Sequence, residues 1–341
     1  MSNELGLAAE LERRITKEKD AEDFWHRYET IKAYLSTEYY PWIQANCPFF
    51  TDHGEQHISS VIQAGSLLLK EHLGLQGKSK LSTLDLFLIL SGILWHDVGN
   101  VYGRSEHAAR VATMTDEIKK LAFPTPEIHR LVYEISKAHA GGSGLEIPRA
   151  EEDCATRYET YTVYPRALAA IVRFADEISE NQARISHALL PSVPEKSRIF
   201  WEYANCIAAS RPEPERERVV VTVNIQSDKV TSRYECSEFS HCADKEGQVS
   251  LMEYIICRLE KMNNERVYCA GKFNRYASIR EIAVKITISH ATERLANYDL
   301  EVALSDSGLS KKSYPRIEIF EEFFKSYPDW YPARIQEVLR R

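Results

Sequence analysis

The chain has 341 residues, a formal net charge of −7, 44% hydrophobic residues and 27% charged ones. That length supports one large domain or two, and the composition is that of a globular protein with a substantial core. The acidic balance argues against a generic nucleic-acid binder, which is usually basic.

The richest apolar run, LDLFLILSGILW (84 to 95), falls short of the roughly eighteen residues that span a bilayer and carries Asp85 and Ser91. The N-terminus is charged and has no apolar signal core. Seven scattered cysteines without a CxxC read as reduced thiols, so the expected location is cytoplasmic. Cys236, His241 and Cys242 lie close together, but no second ligand pair matches them for a zinc site.

Periodic Leu, Ile, Trp and Tyr among charges predict helices over residues 4 to 45. CPFFTDHG (47 to 54) is a turn-rich break. From His57 onward, Ile58, Val61, Ile62, Ala64 and Leu68 form one helical stripe. Ser82 or Thr83 is placed to cap the oily helix that follows. GNVYGRS is a loop, and residues 106 to 122 and 128 to 140 read as two helices, the first stopped near PTP (124 to 126) and the second by GGSG (141 to 144). Residues 164 to 189 read as one long helix ended by PSVP (191 to 194). RPEPERER (211 to 218) reads as a linker or turn. VVVTVNIQ (219 to 226) alternates and is β-branched, hence a strand, with KVTSRYEC (229 to 236) as a candidate hairpin partner. Residues 249 to 267 read as helix, 282 to 290 as strand, and EIFEEFFKSY (318 to 327) as an aromatic helix suited to core packing or a partner surface.

Histidine and aspartate occupy the ends and inner faces of these helices. His57 opens one, His96 and Asp97 close the next, His107 starts a third, His139 ends a fourth and Asp176 sits within a fifth. If they converge, four imidazoles and two carboxylates make a divalent-metal site for Mn, Fe, Ni, Zn or Mg. Imidazoles hold such an ion, carboxylates compensate its charge, and its water loses a proton near neutral pH. A non-cysteine set suits hydrolysis better than a closed structural zinc site. Around this set, His53, Asn100 and Arg104 are candidate phosphate contacts. Glu177 and Glu180 read mainly as a solvated helix face, and His26, His72, His129, His187 and His241 have no motif context.

The ordered pattern resembles the HD superfamily of metal-dependent phosphohydrolases. EQHISSV (55 to 61) looks like that family's first-histidine motif, and GILWHDVGN (92 to 100) like its defining motif. RSEHAARVA (104 to 112) and ISKAHAGGSG (135 to 144) resemble the third and fourth, and AIVRFADEISE (170 to 180) the last. The resemblance covers about residues 45 to 190. It implies an HD-type helical bundle over 1–210, and the strand and helix pattern that follows gives a smaller α+β unit over 211–341, for a mainly α fold. It also implies one or two divalent ions, the first on His57, His96, Asp97 and Asp176, the second sharing Asp97 and adding His107 and His139. With one ion, as in the dNTP triphosphohydrolase branch, His107 and His139 become acids or phosphate ligands. The cyclic-dinucleotide branch carries a His pair and a GYP triplet; here Ala138 precedes His139 and no GYP follows, which argues against cyclic-di-GMP. The wider pattern looks like HD proteins of bacterial nucleotide-signalling and defence contexts.

The expected function is hydrolysis of a phosphoester or phosphodiester, in a nucleotide, by metal-activated water, with Asp97, His107 and Arg104 in the chemistry. The alternatives are a dNTP triphosphohydrolase, a single-strand nuclease, or a non-catalytic nucleotide-binding sensor. The C-terminal region is the expected surface for a homo-oligomer or protein partner; no membrane association is expected, and nucleic acid is not favoured.

Overall fold

The structure, a computed structural model, describes residues 6–74, 79–103, 107–111, 116–139, 156–230, 232–236, 247–290 and 293–305. Arg104, the GGSG run, Cys154, His241, Cys242 and the aromatic tail (Phe320, Phe323, Phe324, Tyr327, Trp330, Tyr331) lie outside the described residues.

Helix α5 (Thr83–Trp95) is the axis of the fold, and every one of its residues is buried. Its start is set by a capping box. The Ser82 hydroxyl accepts from the Asp85 N–H, and the Asp85 carboxylate accepts from the Ser82 N–H. Around it pack α1 (Leu7–Arg14), α2 (Ala21–Glu38), α4 (Glu55–Leu68), α8 (Pro126–Lys137) and α9 (Pro165–Glu177). With the turn after it, the stretch Thr83–Tyr102 has the length and apolar composition to cross a membrane, but here it is enclosed by these helices. Gly92 lets α5 and α8 approach closely, since a Cβ there would lie 2.6 Å from Ile135 Cγ2. The Ser136 hydroxyl, which donates to the Val132 carbonyl at 2.7 Å, also stands 3.3 Å from the Gly92 carbonyl across the crossing. This crossing sets the spacing of His96 and Asp97, after α5, from His139, after α8.

Shorter elements complete the helical part: α3 (Tyr40–Asn46), α6 (His107–Arg110), α7 (Asp116–Ala122), the hairpin β1 (Thr156–Tyr158) and β2 (Tyr161–Val163), and α10 (Glu195–Cys206). Four strands then form one sheet in the order β3-β4-β7-β8: β3 (Ile207–Glu213), β4 (Arg218–Gln226), β7 (Glu281–His290) and β8 (Glu293–Ser305). The central pair is parallel, and Val219, Val221, Val223 and Ile225 stand in register with Ile282, Val284, Ile286 and Ile288. All eight are buried, so one face is a continuous apolar surface. A parallel pair needs a crossover; it runs through the ladder of β5 (Arg233–Glu235) and β6 (Gln248–Ser250) and then α11 (Leu251–Phe273). α11 packs against α9, and a single buried cluster extends from Leu7 to Ile288 across the expected boundary near residue 210.

The chain is mainly α with a smaller mixed sheet, as its periodicity indicates. Several elements differ from expectation. RPEPERER is a turn rather than a linker: its first residues are the end of β3, and a tight turn with Glu217 in the left-handed region (φ 50°) folds it onto β4. KVTSRYEC does not pair with β4. β5 is only three residues long and pairs with β6, while β3 and β7 occupy the two edges of β4. The helix expected over 164 to 189 ends at Glu177; Asn181 is extended there, its side chain accepting from the Ala183 N–H and opening a new turn. Of the helix expected over 106 to 122, α6 and α7 are described; residues 106 and 112–115 lie outside the described residues. The β1–β2 hairpin and β8 carried no clear strand signal.

Asp85 gives the core a pH signature. Burial pushes its carboxyl up to about 6, against the lowering effect of its bonds to Ser82 and the charges of Arg14 and Arg275. A carboxyl raised above its unfolded value of about 3.9 stabilises the fold fully below that value, and loses this contribution as pH rises through about 6. The lost amount is ~3 kcal/mol. Asp85→Asn keeps an acceptor for the Ser82 N–H and carries no charge. It is therefore expected to melt higher than the wild type at pH 7.5 and to show no such gain at pH 4; an equal gain at both pH values would refute this account.

Candidate metal centre

The turn before α4 begins the site. The Asp52 carboxylate accepts from the N–H groups of Gly54 and His57, capping the helix and fixing the His57 backbone. At the end of α5 the His96 Nδ1–H donates to the Ile93 carbonyl (2.7 Å), and at the end of α8 the His139 Nδ1–H donates to the Ser136 carbonyl (2.6 Å). Both rings thus turn Nε2 inward, the orientation that metal-ligating histidines owe to such outer bonds.

The inward atoms meet around one carboxylate. Asp97 Oδ2 lies 3.4 Å from His57 Nε2 and 3.3 Å from His96 Nε2. Its Oδ1 lies 3.5 Å from both His107 Nε2 and His139 Nε2. The His57 and His96 Nε2 atoms are 3.2 Å apart, and those of His107 and His139 are 3.0 Å apart. Asp176 Oδ1 closes the first group, 3.2 Å from His57 and 3.6 Å from His96. Two donor groups result, His57–His96–Asp97 and Asp97–His107–His139, with Asp97 common to both.

Facing imidazole nitrogens at these distances repel unless a cation lies between them, either a proton on one ring or a metal ion. An ion about 2.0–2.2 Å from nitrogen and oxygen donors sets neighbouring donors about 3 Å apart, so the cluster fits a divalent metal. Its electrostatics agree. Burial disfavours a charged His96, yet the carboxylates of Asp97 and Asp176 overcome it and push the ring up to about 10. Burial likewise works against ionised Asp97 and Asp176. The charge of His96 and the bonds from the surrounding imidazoles outweigh it and hold both carboxyls well below the usual range. The cluster therefore binds positive charge.

A cavity of about 880 Å³ opens over these groups. His53 lines it. Its Nδ1–H donates to the Thr51 carbonyl, and its Nε2 faces Arg184 Nη2 at 3.4 Å. Asn100 does not line it: the turn after α5 folds this residue beneath Asp97, fully buried, where its amide donates to Asp97 Oδ1 at 2.8 Å. It orients the carboxylate and faces away from the cavity. Arg104 lies outside the described residues.

The far wall comes from residues that carried no sequence motif. α10 brings Phe200 and Tyr203, and α11 brings Tyr254, Arg258 and Lys261. Trp201 ties α10 to the turn before α4 by donating to the Phe49 carbonyl. Glu177 and Glu180 are not solvated; they pair with Arg258, Lys261 and Arg184. The available signal was their position beside Asp176, at and just past the end of α9.

Helix-borne histidines sharing an aspartate define the HD type of metal centre. A family model described as HD-CE matches residues 47–246, and the chain belongs to the HD-CE family. Nothing matches among curated proteins or among solved structures. Fold, family and donor set together are those of a metal-dependent HD hydrolase.

Proposed function

We propose that the protein hydrolyses a phosphoester bond in a nucleotide, using one ion held by His57, His96, Asp97 and Asp176 and a second held by Asp97, His107 and His139. The observation that carries this reading is the Asp97 carboxylate straddling two imidazole pairs at the edge of a cavity large enough for a nucleotide. Bound there, divalent ions supply Lewis-acid activation of water and neutralise charge building on the phosphoryl oxygens. The chain's own part is orientation. Asn100 and the carbonyls of Ile93 and Ser136 hold Asp97, His96 and His139 in place. The Arg184 guanidinium, with His53 Nε2 beside it, lies at the cavity wall where a phosphoryl oxygen would meet a cation. The half-buried rings of Phe50 and Phe200 give a planar base an apolar surface.

The test is metal content per chain after purification and after incubation with Mn or Fe, beside turnover of bis(4-nitrophenyl) phosphate and a panel of nucleotides. Two ions with turnover support the reading. One ion with turnover of deoxynucleoside triphosphates favours the mononuclear alternative. Metal without turnover of any phosphoester favours a nucleotide-binding sensor, and no metal at all would sink the hydrolase.

A further inference from the structure

The cations of α11 lie beyond the residues that match the HD-CE family, which end at 246. Tyr254, Arg258, Lys261 and Glu265 recur at helical spacing along one stripe of α11, and all four line the cavity. The stripe is anchored at Glu265. Arg173, on α9, closes a two-pronged fork on its carboxylate with both contacts at 2.6 Å, and its third nitrogen reaches the carbonyl of Ala138, the residue before His139. One and two turns away along α11 stand the two cations, paired with carboxylates next to the site. Arg258 Nη2 stands 3.6 Å from Glu177 Oε1 and 3.9 Å from Glu180 Oε2, and Lys261 Nζ stands 3.5 Å from Glu177 Oε2. Arg258 also lies over the Tyr203 ring, 5.3 Å from its centroid. Both cations line the cavity that His57, Asp97 and Asp176 also line. The Arg258 side chain is recessed at 13% exposure, and Lys261 is about a third exposed.

We propose that Arg258 and Lys261 form a subsite for a second phosphoryl group of the substrate, one that is not hydrolysed. The inference rests on the phosphohydrolase reading and narrows it to substrates with at least two phosphoryl groups. A planar guanidinium suits bidentate contact with phosphoryl oxygens, and the ammonium adds a point charge beside it. Anchoring of α11 through Arg173 fixes the distance between this subsite and the donor cluster, so the subsite selects for length as well as charge.

Inorganic pyrophosphate and inorganic phosphate, titrated calorimetrically into the metal-loaded protein, test the subsite. Arg258→Gln/Lys261→Gln is expected to weaken pyrophosphate binding by tenfold or more, the loss of about one charged hydrogen bond. Phosphate binding should fall less than threefold, with bound metal unchanged. Arg258→Lys/Lys261→Arg, which keeps both charges, should recover part of the pyrophosphate affinity. If the double variant fails to fold, Lys261→Met alone is expected to weaken pyrophosphate at least threefold. Pyrophosphate affinity unchanged in a folded, metal-loaded variant overturns the subsite, as does a wild type that does not bind pyrophosphate. The two readings fail separately. Pyrophosphate bound through Arg258 and Lys261 with no phosphoester turned over leaves the subsite and removes the hydrolase, whereas turnover with variant-insensitive pyrophosphate affinity does the reverse.

Discussion

Asp97→Asn is expected to strip the protein of bound divalent metal and to lower phosphoester hydrolysis by about 10³-fold or more, the several kcal/mol that metal activation supplies. The size follows from position. One carboxylate oxygen faces His57 and His96, the other faces His107 and His139, all within 3.5 Å. Asparagine has nearly the same shape but only one oxygen. Its amide would turn N–H groups toward one pair of metal-facing nitrogens and withdraw the negative charge that both ions need. Asn100, which now donates to Asp97 Oδ1, would hold the remaining oxygen toward the His107–His139 side. Metal analysis beside circular dichroism checks the result. A folded variant with full metal content would remove Asp97 from the shared position, and one with full activity would remove it from the reaction.

Gly99→Ala is expected to cost one of two ions, to lower hydrolysis by about 10²-fold and to leave the other ion bound. A Cβ at residue 99 would lie 1.8 Å from the His107 carbonyl oxygen and 2.7 Å from its carbonyl carbon. These are backbone atoms, so no rotamer change relieves the overlap and α6 must move off the turn after α5. His107 then leaves His139 and Asp97. His57, His96 and Asp176 are not among the atoms nearest the added Cβ. Disturbing a metal's supporting shell costs roughly 10–100-fold, and displacing one ligand falls at about the upper end. Metal stoichiometry is the direct measurement. Retention of two ions and full turnover would show that His107 is not a ligand. A wild type with one ion, unchanged in the variant while turnover falls, would instead give His107 the acid or phosphate-contact role of the mononuclear alternative.

Much of this centre was legible in the chain because its donors are punctuation. His57, His96, Asp97, His107 and His139 stand at helix ends or starts, beside apolar runs whose burial direction the periodicity already declares. A polar group that ends a wholly buried helix such as α5 must point into the interior or a cavity. The spacing also made Ser82 readable as a cap, and its bond with Asp85 is local, three residues away.

What only the tertiary structure decided depends on partners distant in the chain. Glu177 and Glu180 look like a solvated face until α11, some eighty residues later, brings Arg258 and Lys261 against them. Asn100 looks like a loop donor free to meet substrate until the turn after α5 closes and buries it behind Asp97. The strand VVVTVNIQ declares its own alternation but not its neighbours, because backbone pairing is the same for every strand and the choice falls to whichever faces match. Ile282, Val284, Ile286 and Ile288 match it in register, and the adjacent KVTSRYEC does not. By itself, then, the sequence determined a helical protein with a His/Asp donor set on its helix ends, since both are written in local periodicity and residue chemistry. The sheet order, the crossover through α11 and the cationic wall opposite the histidines were settled by packing, where apolar area buried between distant segments outweighs any local preference.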